Sequence, residues 1–418
     1  MKDKWIEKFK NSRKLAKGNY VEVLTGFNAN IDSIYNFEEM NIDFTDIEPQ
    51  IHENIDSLTE LKETIIYCRD NDISTEVNGS QLNFELDGGN DSIGGQGGIM
   101  AKFLSNFNNS VTFYTPFLSK DLSRHLNKEI LYPVIEDNKF VLKNVKDCVN
   151  TDRTKNNLIF EFSEGKSGRL IVSDNLKGFG PYFRKGIEDN IPEMDNNLDR
   201  IMLSGFHNVR GNMEAKLKKS EKQLEMFETP IHVEYVDVDN NIREKLEKYI
   251  LPQVDSIGLD EYELKELSDQ DIKGDASLGD AYQCAKNLIQ EHGLSRVHIH
   301  TYRYHVTVVE EDYEVDSKKI RSSMLFGGLC AVQVGEYGFI PGESEIMDFT
   351  MENKYMRKLD ELEDFADYLD LDHFVETGTA EIEDFRIIAT PVIVHEDPKR
   401  TVGMGDLISS ATFTSELK

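Results

Sequence analysis

The chain has 418 residues, with 77 acidic side chains against 47 basic ones and a formal net charge of -30. A mean field of that sign disfavours nonspecific binding to nucleic acid or to an anionic membrane, and a phosphorylated ligand would need a local cluster of cations to overcome it. Cys68, Cys148, Cys284 and Cys330 stand far apart with no C-x-x-C pair, so neither a zinc site nor a disulfide framework is indicated, and a reducing cytoplasm is the expected setting. The N-terminus opens on an amphipathic helical pattern without an apolar signal core, and no run approaches a membrane span.

In chain order, residues 1–17 read as a helix stopped by Gly18, and 20–25 as a buried strand ending in the polar cluster Gly26-Phe27-Asn28-Ala29-Asn30-Ile31-Asp32. Such a cluster is either an Asn/Asp turn or a ligand site at a strand's carboxyl end. Ser57 with Glu60 is a capping-box signature for a helix to about Arg69, and Asn78-Gly79 reads as a turn before a strand over 81–86. Ile93-Gly94-Gly95-Gln96-Gly97-Gly98 then opens a helix to about Phe107, the glycines serving either a ligand or tight packing. Strand patterns follow over 110–115, 132–135, 139–142, 157–162 and 170–173, which suggests a small β domain.

After about residue 196 strands and helices alternate as in a doubly wound sheet, through strands at 201–205, 231–235, 255–258, 297–301 and 306–310 and a long helix over 320–335. Glu234, in His232-Val233-Glu234, and Glu263, after Asp260, are candidate Mg²⁺ carboxylates acting through waters. Asp260 and Glu263 read equally as a helix cap and its capping-box partner. His298 and His300 alternate along a strand and read as sheet histidines before metal ligands.

The most telling stretch is Thr401-Val402-Gly403-Met404-Gly405-Asp406. Two glycines expose backbone N–H groups at the start of a helix, an anion-binding geometry, and Asp406 is placed to act on an attacking hydroxyl. The alternative is a plain Gly-x-Gly turn capped by Asp.

In order along the chain, GFNANID, GGQGGIMA, NLIFEF, LSGF, HVE, SIGLDEYEL, HIHT and TVGMGD resemble the ADP-dependent sugar kinases, glucokinase and phosphofructokinase, of the ribokinase-like superfamily. The resemblance implies an α/β fold: a ribokinase-like large domain (1–32, 93–109 and 173–418) with a smaller β-rich lid (33–92 and 110–172) inserted near the N-terminus. It implies Asp406 as catalytic base, Gly403, Met404 and Gly405 as the anion hole, and Arg169, in GRLIV, as the arginine that reaches the nucleotide phosphate from the lid. Asn30, Asp32, Gly95, Gln96 and Asn157 would hold the sugar, Glu234 and Glu263 would serve Mg²⁺, and ADP would be the phosphoryl donor. Asp260 stands where the family usually has Asn, and Leu407 where Thr is usual.

Sugar choice rests on Glu76, which would accept from a glucose hydroxyl, against Lys155, Lys166 and Arg210, cations able to hold a sugar phosphate. The expectation is a cytoplasmic kinase that phosphorylates fructose 6-phosphate and also glucose. A dedicated glucokinase, an ATP-dependent ribokinase-type enzyme and a noncatalytic sugar sensor are the alternatives. No nucleic-acid or membrane partner is expected, and the oligomeric state is left open.

Overall fold

The computed structural model describes residues 1–79, 84, 86–148, 150–162, 168–174, 176, 178–236, 238–268, 272–352, 355–357, 359–396 and 398–418. Among the described residues, seventeen strands form two sheets. They are β1 Val21–Gly26, β2 Asn30–Asn36, β3 Asn54–Ile55, β4 Thr75–Gly79, β5 Asn90–Gly94, β6 Asn109–Tyr114, β7 Leu131–Glu136, β8 Lys139–Asn144 and β9 Asn156–Glu161, then β10 Arg169–Asp174, β11 Arg200–Leu203, β12 Ile231–Glu234, β13 Ser256–Leu259, β14 Arg296–His300, β15 Tyr304–Glu310, β16 Thr379–Ile382 and β17 Phe385–Pro391.

The larger sheet has 11 strands in the order β16-β17-β15-β14-β13-β12-β11-β1-β6-β7-β8. From β14 through β7 neighbours run parallel, and antiparallel strands close both edges. Every residue of β11, β12 and β13 is buried, as expected of parallel strands covered on both faces. The polar residues that end these strands therefore gather along one carboxyl edge, where open α/β sheets bind ligands.

The smaller sheet has six strands, β3-β4-β10-β9-β2-β5. It carries its own core, including Tyr35, Ile55, Leu61, Phe160, Leu170 and Val172, with the helix Leu58–Asp70 against it. The chain crosses into this lid over residues 27–29, returns through Gly95, leaves again between β8 and β9, and comes back after β10.

That connectivity corrects the expected boundaries. β6, β7 and β8, placed in the small domain on sequence, extend the larger sheet beside β1. Alternation identifies a strand but not its partner, and the edge hairpin β7–β8 has the same pattern as a lid strand. Asn78-Gly79, read as a turn, closes β4. The strand expected over 81–86 falls mostly outside the described residues. Elements between the helix Ser317–Tyr337 and the 401–406 turn, including β16 and β17, were not anticipated, whereas the helix expected after that turn is present as Met404–Ser415. No helix among the described residues is long and apolar enough to cross a membrane.

Candidate active site

The helix Met404–Ser415 packs against Ser317–Tyr337 and Gln96–Leu104, and its first turn faces the space between the sheets. Its N-cap is Gly403 at φ +80°, a conformation L side chains rarely adopt, so glycine permits the turn that starts the helix. Thr401, Val402, Gly403, Met404, Gly405 and Asp406 all line a cleft of about 800 Å³ between the lobes.

Asp406 is partly buried, and Gln96 bonds its carboxylate from the start of the neighbouring helix. Burial, reinforced by the charges of Glu234 and Asp32, pushes its pKa from 3.8 up to about 8, against the Gln96 bond and the Arg400 charge. A carboxyl that titrates near neutrality in the first turn of a helix fits a general base for a hydroxyl attacking a bound anion, although the Met404 N–H of that turn already donates to the Thr401 carbonyl at 3.4 Å.

Two more carboxylates stand on this wall. His232 Nε2 lies 2.7 Å from Glu234 Oε1, both buried at the end of β12. Burial is the largest single influence and works against the Glu234 anion, but the bond and charge of His232, the charge of His300 and the nearby Ser409 hydroxyl together outweigh it and hold the pKa below the usual range. Glu263 and Asp260 form a complete capping box: Asp260 N–H donates to Glu263 Oε2 (2.6 Å), and Glu263 N–H donates to Asp260 Oδ1 (2.9 Å). Both readings of Glu263 thus meet in one residue, since it caps the helix and also lines the cleft. No group of three or more metal-ligating side chains occurs among the described residues. Two carboxylates without a closed cage fit a hard cation that keeps its waters and shares phosphate oxygens, the ordinary mode for Mg²⁺.

The opposite wall belongs to the lid. Asp32 Oδ1 accepts from Asn30 Nδ2 (2.5 Å) and Asn157 Nδ2 (3.1 Å), and burial raises its pKa to about 6 against those bonds and the nearby cations. Ser173 Oγ lies 2.5 Å from Glu76 Oε1 on the adjoining strand and 3.2 Å from Asn157 Oδ1. Lys155 reaches the same region, where burial lowers its pKa while Glu76 and Asp32 oppose that shift. Arg169 opens β10 and lines the cleft. The cleft thus opposes the Asp406 carboxyl and the glycine turn to lid cations, with amides and carboxylates between.

The sequence model described as the ADP-specific Phosphofructokinase/Glucokinase conserved region matches residues 21–415. The chain belongs to that family. It is 27% identical to an ADP-specific phosphofructokinase of Pyrococcus furiosus over 78% of each chain. It is 25% identical to an ADP-dependent glucose/glucosamine kinase of the same organism over 99% of this chain and 98% of the relative. A solved ADP-dependent kinase in complex with fructose-6-phosphate and ADPbetaS superposes with a TM-score of 0.82 at 26% identity, covering 100% of this chain and 97% of that one.

For this member of the family, Asn30, Asp32, Glu76, Gly95, Gln96, Lys155, Asn157, Arg169, Glu234 and Glu263 come together with the 403–406 turn in one cleft. Arg210 does not line it; its Nη1 donates to the carbonyls of His207 (2.9 Å) and Val209 (3.2 Å). Lys166 lies outside the described residues. Of the two sheet histidines, His298 bonds Thr307 Oγ1 through Nδ1 (2.9 Å), whereas His300 lines the cleft against Gly405.

Sequence reasoning missed His207 and Asn208, which follow β11 and line the cleft. Burial, with Lys155 and Arg210 nearby, lowers the His207 pKa to about 3. It also missed Arg400, whose charge acts on Asp32, Glu161 and Asp406 and whose Nη2 is buried without a hydrogen-bond partner among the described residues. One follows a strand's carboxyl end and the other directly precedes the glycine turn, a position that marks them as near the cleft without showing which charges they meet.

Proposed function

We propose that the protein is an ADP-dependent sugar kinase that transfers the β-phosphoryl group of ADP to fructose 6-phosphate, giving fructose 1,6-bisphosphate and AMP, and that it also phosphorylates glucose. The observation that carries this reading is Asp406, a carboxyl raised to about 8 in the first turn of a helix whose N-terminus faces the lid across a single cleft.

Asp406 takes the proton of the attacking sugar hydroxyl. The N–H groups of Gly403, Met404 and Gly405, with Arg169 from the lid, stabilise the charge on the transferring group. Asn30, Asp32, Gln96 and Asn157 orient the sugar, and approach of the lid excludes water. Glu234 and Glu263 would hold Mg²⁺ through waters. When bound, Mg²⁺ neutralises charge on the nucleotide phosphates. A cytoplasmic setting, where ADP is available, belongs to the same reading.

Dual sugar use is supported by Glu76 and Lys155 lining the same cleft, one suited to a hydroxyl and the other to a sugar phosphate. A coupled assay of glucose and fructose 6-phosphate against ADP and ATP, with and without Mg²⁺, tests the whole reading. Turnover of both sugars with ADP and Mg²⁺ is expected. Glucose alone would make it a dedicated glucokinase, and turnover only with ATP would overturn the donor.

A further inference from the structure

Behind the cleft runs a chain of buried polar groups that ends on Glu234 at the cleft wall and whose other members the proposed reaction does not use. Arg296, on β14, is fully buried and pairs with Glu416, its Nε 3.0 Å and its Nη2 2.9 Å from Oε1. Glu416 is the C-cap of the helix Met404–Ser415, and its other oxygen accepts from the Tyr313 hydroxyl at 3.0 Å. Arg296 Nη1 donates to Ser256 Oγ on β13 (2.9 Å), Ser256 Oγ lies 2.8 Å from His232 Nδ1 on β12, and His232 Nε2 lies 2.7 Å from Glu234 Oε1. Phe413, on the same helix, stacks on His232 with ring centroids 5.0 Å apart. A side chain at Gly258 would collide with Glu234, since an added Cβ would sit 2.5 Å from Oε1.

The directions of these bonds follow from the groups themselves. A guanidinium only donates, so Ser256 Oγ accepts from Arg296; its bonds among the described residues leave His232 Nδ1 as the acceptor for its own proton, and the Glu234 carboxylate, which only accepts, takes the bond from Nε2. Nδ1 is then the acceptor, the ring proton sits on Nε2, and it points at Glu234. We propose that Arg296, Ser256 and His232 are positioning residues that fix the Nε2–H tautomer on Glu234 and tie the far end of the catalytic helix to the strand presenting that carboxylate. One arginine thereby sets both the anion-hole helix, through Glu416, and the cleft carboxylate, through Ser256. Desolvated networks of this kind hold one arrangement through their bonds; here Arg296 Nη2 is the exception, meeting Glu416 as an ion pair without a hydrogen bond.

The inference rests on the reading of Glu234 as a carboxylate that serves phosphoryl transfer, but its first test needs no substrate. Long-range ¹H–¹⁵N spectra of the imidazoles, with His232 assigned by its loss in His232→Gln, should show the Nε2–H tautomer in the wild-type protein. An Nδ1–H tautomer there would overturn the proposal whatever the enzyme phosphorylates. Ser256→Ala removes one oxygen from a buried site. It should leave His232 a mixture of tautomers and lower kcat by roughly tenfold, as for loss of an outer-shell partner, with KM for the sugar within about twofold. Ser256→Thr, which retains the hydroxyl, should restore the wild-type tautomer and most of kcat. An unchanged spectrum and unchanged kcat in Ser256→Ala would also overturn it. If Ser256→Ala does not fold, the wild-type spectrum still decides.

Discussion

The wall built by the large sheet carries its chemistry on rigid element ends already engaged by partners: Glu234 by His232, Glu263 by the Asp260 amide and Asp406 by Gln96. The lid wall differs. Its cations come from Arg169 at the first position of β10 and Lys155 just before β9, and its core is a smaller cluster separate from the one that runs through the large sheet. Groups that stabilise developing charge must be in place before the reaction, because reorganising them would raise the barrier. Groups that admit and release a substrate belong on the part able to move. The large wall should therefore govern kcat, and the lid wall, Arg169 apart, should govern which sugar is used.

The strongest break of that division is Asp406→Asn. It should lower kcat by at least about 10²-fold, the range for losing a positioned general base, with KM little changed. Turnover near wild type in the purified variant would remove Asp406 from the role of base.

The lid should respond differently and selectively. Glu76→Ala should lower kcat/KM for glucose by about tenfold or more, as for a lost charge-assisted hydrogen bond, and leave fructose 6-phosphate nearly intact. Lys155→Ala should do the converse by a similar factor, about tenfold or more, acting mainly through KM. Parallel losses on both sugars in either variant would mean that its side chain holds what the sugars share.

Asp406 also links the cleft to stability. Its folded pKa of about 8 lies above the ordinary 3.8, so between those values the folded state keeps a proton that the unfolded state has lost. Stability therefore falls as pH rises from about 4 through about 8, and levels off above that. Asp406→Asn lacks this loss, so its Tm relative to wild type should rise between pH 5 and pH 9. A constant Tm difference would show that Asp406 ionises normally. In the wild type kcat/KM should climb over the upper part of the same range, as the base loses its proton.

Much of this arrangement was legible in the sequence for a physical reason. Buried parallel strands are short apolar runs, and the residues that end them face one edge, so the carboxylates of HVE and SIGLDEYEL could be assigned to one site without coordinates, while TVGMGD, which opens a helix, joined them only through the family resemblance. The fate of β6–β8 was not legible, because two strands of like pattern can pair in either sheet and only the three-dimensional crossing points decide. Arg400 and His207 were missed for a related reason. Each matters through charges brought near it from distant segments, Asp32 and Glu161 for the one and Lys155 for the other, and no local spacing records that proximity.

The smallest expected effect is also the one that separates two functions of a single residue. Glu263 holds the Asp260 amide at 2.6 Å and faces the cleft, so it contributes to the helix Glu261–Leu267 and is available to a hydrated cation. Glutamine at the same position keeps an acceptor for the amide but loses the charge. Glu263→Gln should therefore leave Tm within about a degree or two, since Gln also serves in capping boxes, while raising the Mg²⁺ concentration needed for half-maximal rate. Alanine removes both, so Glu263→Ala should show that same Mg²⁺ shift together with a loss of about 0.5–2 kcal/mol of stability, the usual range for a lost cap. If Glu263→Gln titrates with Mg²⁺ like wild type and only Glu263→Ala is impaired, and then only in stability, Glu263 is a cap and nothing more, and Glu234 would be the metal-directed carboxylate on that wall.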